Sequence, residues 1–163
     1  MAMNTILALD MATKTGWATS GPSGVATSGV ENFRKRAGDS RGMIFIRFEA
    51  WLSEICRSVS PRVIVYERPH ARGRAANEVL NGMLAYLAGT AEKMGIEYAD
   101  CPSSTLKLFA TGKGNASKVE MMAAYRAKWG REPIDDNESD ARWLLEWGRS
   151  QFCTGGDKNH DQG

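Results

Sequence analysis

Short continuous apolar runs closed by polar turns alternate in this chain with longer stretches whose apolar positions recur every three or four residues. Thr5 to Asp10 is a run of strand length. Gly16 to Thr19 and Val25 to Phe33 read as two more strands, joined by Ser20-Gly21-Pro22-Ser23-Gly24, a turn short enough to link antiparallel neighbours. Helical spacing then takes over: Ile44, Phe48, Trp51, Leu52 and Ile55 predict an amphipathic helix from about Ser40 to Ser58. Pro61 separates it from a strand, Val63 to Glu67. A second stripe, Ala76, Val79, Leu80, Met83, Leu84 and Leu87, predicts a helix from Ala75 to Met94, stopped by Gly95. A short strand Ile96 to Ala99 follows, then a helix to Phe109 capped by Ser103 or Ser104, a helix from Ser117 to about Lys128, and a last helix from near Asn137 to Ser150.

Three strands, helix, strand, helix, strand and further helices imply an α/β fold, a mixed five-stranded sheet with helices on both faces. This is the order of the ribonuclease H-like architecture, in which the first and fourth strands lie side by side. With 163 residues the chain is expected to form one such domain over residues 1–150, followed by a polar, Gly-rich, disordered tail over 151–163.

Composition narrows the class only a little. Hydrophobic residues at 42% and charged residues at 25% suit a globular protein, and no apolar run is long enough to cross a membrane. Cys56, Cys101 and Cys153 are widely spaced without a CxxC, which suggests neither a disulfide framework nor zinc. With no signal-peptide pattern, a reduced, cytoplasmic protein is expected. A net charge of +2 is too small to establish a nucleic-acid partner, so the distribution of charge must decide.

The chemistry lies in three carboxylates. Asp10 and Glu67 end the first and fourth strands, and adjacency of those strands would bring them together at one sheet edge. Such a pair repels unless protons or cations intervene. Asp140 lies with Asp136, Asn137, Leu144 and Trp147 on one side of the last helix, beside the face that must pack on the sheet, where an unpaired charge is costly. Divalent metal gives the three acids a common purpose, since hard cations take oxygen ligands. Taken singly, each acid has a plainer use. Asp10 could begin an Asx-turn, Glu67 could pair with a nearby arginine, and Asp135 with Glu138 could form a capping box.

At these residues the chain resembles the RuvC family of Holliday-junction resolvases, particularly its compact phage and prophage forms. The matching pieces are Leu7-Ala8-Leu9-Asp10 with Thr13-Lys14-Thr15-Gly16-Trp17, Val65-Tyr66-Glu67, Thr111 to Lys118, and Asp136-Asn137-Glu138-Ser139-Asp140-Ala141, over roughly residues 4–149. The resemblance implies a homodimeric crossover junction endodeoxyribonuclease that makes paired, symmetric nicks in four-way DNA, leaving 5′-phosphate and 3′-hydroxyl ends. It implies two Mg2+ ions per site, with Mn2+ able to substitute. Asp10, Glu67 and Asp140 match the metal-binding acids, and Lys107 and Lys118 match basic residues that approach the scissile phosphate. The fourth ligand position, three residues before the last Asp, is Asn137 here, and Asp136 could stand in for it.

Where the family tends to place an aromatic wedge, this chain has His70, flanked by Arg68, Arg72 and Arg74, a charge density suited to phosphates. Lys14, Lys113 and the Arg34-Lys35-Arg36 cluster could extend the same DNA surface. The helix from Ala75 to Met94 is the expected dimer interface, with Gly82, Ala85 and Ala88 permitting close approach. Three other functions share some of these features: another ribonuclease H-like nuclease, acting on RNA–DNA hybrids or flaps; a non-catalytic junction-binding protein; and, ranked last, a fragment of a sugar-kinase or actin-like ATPase, whose folds also begin with a strand, an Asp and a Gly-containing turn but need two lobes.

Overall fold

The computed structural model describes residues 5–21, 23–69 and 73–153; His70, Arg72 and the tail from residue 154 lie outside them. The elements in chain order are β1 (Ile6–Asp10), β2 (Lys14–Ser20), β3 (Ala26–Asn32), α1 (Gly42–Val59), β4 (Val63–Glu67), α2 (Arg74–Met94), β5 (Glu97–Cys101), α3 (Ser103–Thr111), α4 (Lys118–Trp129) and α5 (Asp136–Phe152). The sheet order is β3-β2-β1-β4-β5, antiparallel across β3-β2-β1 and parallel across β1-β4-β5. The mixed five-stranded sheet, and the pairing of the first strand with the fourth, are as the sequence predicts.

β1 and β4 are unbroken apolar runs because both of their faces are covered. Successive side chains point to opposite faces, so Ile6, Ala8, Val63 and Val65 join one core with α3, α4 and α5. Leu7, Leu9, Ile64 and Tyr66 join the other, with α1 and α2. Each fully buried Leu or Ile in these cores contributes about 1.5–3 kcal/mol of hydrophobic stabilisation.

Several element ends differ from expectation for local reasons. β2 begins at Lys14 because its pairing with β3 runs on to Lys14↔Asn32. α3 is capped by neither Ser103 nor Ser104; Pro102 holds the extended N-cap position and Ser103 is the first helical residue. α5 continues through Phe152, whose ring packs edge-on against Trp147 with centroids 6.4 Å apart, so residues 151 and 152 belong to the domain rather than the tail. Ser117 and Glu120 form a reciprocal capping box on α4. Gly95 ends α2 at φ 67°, a left-handed conformation that glycine adopts without strain.

Along α2 the predicted stripe divides. Met83 and Leu87 are fully buried, while Val79, Leu80 and Leu84 are partly buried against the same core. Gly82 serves a contact within the chain: a Cβ there would lie 2.5 Å from the Phe45 ring, so its small size admits α1.

Candidate metal centre

The register of the central strands builds the site. β1 and β4 pair Ile6↔Val63 through Leu9↔Tyr66, and one step further in that register stand Asp10 and Glu67. Both share the side-chain parity of Ala8 and Val65, so both project toward the α5 layer. On the other flank Asp10 pairs with Gly16 of β2. The absence of a side chain at Gly16 is what lets α5 descend. A Cβ there would lie 1.9 Å from the carbonyl oxygen of Asn137. With its first turn resting on Gly16, α5 presents Asp140 to the strand-end acids, and carboxylate oxygens of Asp10, Glu67 and Asp140 lie within 4.8 Å of one another.

The electrostatics follow from that convergence. Burial, then the charges of Asp140, Glu67 and Asp136, hold the Asp10 carboxyl well above the usual carboxylate range, with Lys118 opposing. Burial, Glu67 and Asp136 push Asp140 up to about 7, against the fields of Lys118 and Lys107. Three converging oxygen donors, two of them with their charged forms disfavoured, make a set that a hard divalent cation satisfies, and the residues present fit such an ion.

Of the two candidates for a fourth ligand, Asp136 stands at the site and Asn137 does not. Asp136 lines the same cavity as Glu67 and Asp140, and its charge raises both Asp10 and Asp140. The Asn137 side chain instead hydrogen-bonds to Asp135, its backbone being pinned over Gly16. Lys118 Nζ lies 2.6 Å from Asp136 Oδ2, and that contact raises the Lys118 pKa. Lys107 lines the cavity beside it.

The expected DNA-contact residues are spread more widely. Lys14 pairs with Asp135 at 2.6 Å, Arg68 with Asp100 at 2.5 Å, Arg74 with Glu78 at 3.0 Å and Lys113 with Glu120 at 2.9 Å. Lys113 lines a groove with Lys128 and Trp143, distinct from the acid cavity. Arg34, Lys35 and Arg36 are exposed ahead of α1. Apart from Lys14–Asp135, whose acid is largely covered, these are exposed ion pairs worth about 0–1 kcal/mol, so exchanging their carboxylate for a phosphate costs little.

The role of Glu138 escapes a sequence reading. It is 1% exposed and does not complete the capping box, although Asp135 accepts from its backbone N–H at 3.0 Å. Its carboxylate instead accepts from Ser28 Oγ at 2.6 Å, from Arg131 at 3.1 Å and from the Ile134 N–H. Glu138 thereby fastens the first turn of α5 to β3, holding the helix that carries Asp140. Ser28 lies 110 residues away in sequence, so no local pattern signals the contact.

No family model and no curated protein matches the sequence. Solved structures do. Thermus thermophilus RuvC superposes with a TM-score of 0.72 at 15% identity, over 91% of this chain and 97% of that one. The same organism's RuvC in complex with Holliday junction substrate gives 0.72 at 17%, over 86% and 90%. The yeast mitochondrial Holliday junction resolvase gives 0.60 at 16%, over 90% and 78%. This chain therefore has the ribonuclease H-like fold of the RuvC resolvases.

Proposed function

We propose that this chain is a divalent-metal-dependent endonuclease that resolves four-way or otherwise branched DNA by paired, symmetric nicks. The observation that carries the reading is the convergence of Asp10, Glu67 and Asp140 within 4.8 Å, from two strand ends and a helix, on a fold shared with Holliday-junction resolvases. Asp10, Glu67 and Asp140 would hold two Mg2+ ions, or Mn2+ in their place, with Asp136 beside them. Bound there, the ions supply Lewis acidity for in-line attack on phosphorus and departure of the 3′-oxygen.

The chain's own residues do the rest. The three carboxylates, fixed by strand register and by the seating of α5, set the geometry before DNA arrives. Lys107 and Lys118 line the same cavity and offset the negative charge that gathers on the phosphate in the transition state. Lys118 is held at the site by Asp136 in the free protein. Arg68 and Arg74, with the neighbouring His70 and Arg72, supply charge for phosphates beyond the scissile one. Cleavage by this route leaves a 5′-phosphate and a 3′-hydroxyl. A junction of two-fold symmetry calls for two copies of the site, and Val79, Leu80 and Leu84 of α2, partly exposed, are the residues a second copy would cover.

The test is incubation with a synthetic immobile four-way junction in Mg2+ or Mn2+, followed by mapping of the nicks. Symmetric nicks on opposing strands are expected. Cleavage confined to RNA–DNA hybrids or flaps would assign another nuclease of this fold, and tight junction binding without nicks would assign a binding protein.

A further inference from the structure

The ion pair of Lys14 with Asp135 differs in kind from those of the other expected DNA-contact residues. Arg68, Arg74 and Lys113 meet carboxylate side chains that are 35%, 43% and 41% exposed, whereas that of Asp135 is 19% exposed. Asp135 Oδ2, the atom 2.6 Å from Lys14 Nζ, is closed to solvent and accepts no hydrogen bond from any other described group. Its companion oxygen, Oδ1, is occupied in capping α5, where it accepts from the Glu138 N–H at 3.0 Å. Were the ammonium to leave for a phosphate, Oδ2 would stay buried and unpaired, a heavier loss than parting an exposed pair.

Both ends of the pair lead to the acids. Lys14 opens β2, four residues after Asp10, and Asp10 itself pairs with Gly16 of that strand. The turn between them is fixed. Thr15 Oγ1 donates to the Ala12 carbonyl at 2.6 Å, and the Thr13 carbonyl accepts from the Phe33 N–H at 2.6 Å. At the other end Asp135 is the N-cap of α5, five residues before Asp140. Lys14 and Gly16 share a face of β2, so the strand that makes room for α5 also supplies the cation that grips its first turn. Gly16 limits how near the helix can come. The charged contact adds what shape does not, because ammonium and carboxylate must meet at hydrogen-bond distance.

We infer that Lys14 is a positioning residue and not a DNA contact: by holding Asp135 it sets the spacing between Asp10 and Asp140. The inference rests on the reading of these acids as a metal centre. Groups that orient ligands without touching the ion are a large part of metal affinity, and Lys14 acts on two ligands at once, through its own turn and through the helix cap. Charge alone predicts the opposite effect. Removing a cation from the neighbourhood of three carboxylates favours a divalent ion, so weaker metal binding on loss of Lys14 can come only from misplaced ligands.

The test titrates the full chain with Mn2+ by calorimetry in the absence of DNA. Junction binding is followed separately by anisotropy, without metal, over a range of salt concentrations. Lys14→Gln should weaken Mn2+ binding by about tenfold or more while leaving the slope of log affinity against log salt unchanged. Asp135→Asn keeps the cap and removes the partner charge, so it should weaken Mn2+ binding similarly, and the double variant should lose no more than either single one. If Lys14→Gln does not fold, Asp135→Asn carries the same comparison. Unchanged Mn2+ binding in these variants, or a salt slope reduced by about one unit in Lys14→Gln, would overturn the positioning role and leave the metal centre standing. An unaltered chain that binds no Mn2+ would overturn both.

Discussion

At Asp10 and Asp140 the folded chain keeps carboxyl groups protonated at a pH where the unfolded chain has lost the protons. Both pKa values are raised, Asp140 to about 7, against roughly 4 for an unperturbed aspartate. The native state therefore binds more protons than the unfolded one, and stability falls as pH rises through this window. In metal-free buffer, thermal midpoints should decline from pH 5 to pH 8, and Mg2+ should restore more stability at pH 8 than at pH 5, which scanning fluorimetry reads directly. Asp10→Asn and Asp140→Asn relieve the repulsion, so each should raise the metal-free midpoint at pH 8. Each, like Glu67→Gln, should also lower junction nicking by about 100-fold or more, the scale of losing a preorganised charge-stabilising group. An unaltered pH profile in both Asp variants would remove the electrostatic account. Asp136 and Asn137 separate by the same logic: Asp136→Ala should raise the Mg2+ concentration needed for half-maximal nicking, and Asn137→Ala should leave it unchanged.

Among the elements, α5 decides whether there is a site at all. It rests on Gly16 at its first turn and on Ile6 and Val65 at Gly148, where an added Cβ would find those side chains at 3.2–3.3 Å. At Gly16 the obstacle is backbone, the Asn137 carbonyl at 1.9 Å, which cannot rotate aside. Gly16→Ala should therefore lift the helix, costing about 1–3 kcal/mol as overpacking does, measured by denaturant unfolding. It should also depress nicking far more than Gly148→Ala, since it displaces Asp140 from Asp10. Equal activity in the two variants would show that the acids tolerate movement of α5.

For the whole molecule, charge and symmetry are the open variables. Arg68 and Arg74 sit in exposed ion pairs that DNA phosphates can replace. Replacing each with alanine should weaken junction binding and reduce the slope of log affinity against log salt by about one unit. A slope that does not move would locate the DNA surface elsewhere. Light scattering at micromolar concentration should report a dimer, free or on the junction, and Leu80→Glu on α2 should shift it toward monomer. A strict monomer in both conditions would remove the paired-nick mechanism.

The fold and the three principal acids were legible in the sequence because both rest on local, periodic information. Apolar runs buried on two faces define β1 and β4, a parity of two aims Asp10 and Glu67 the same way, and helical spacing puts Asp140 on a packed face. Glycine and serine punctuation set several helix ends for the same reason, as at Gly95 and Ser117. What the tertiary structure alone decided depends on distance across the chain. That Asp136 lines the acid cavity while the Asn137 backbone lies over Gly16 follows from how α5 meets the sheet, and the burial of Glu138 follows from a partner on β3. Gly82 faces Phe45 because α1 packs against α2 there. None of these contacts has a period, so none could leave a pattern in the sequence.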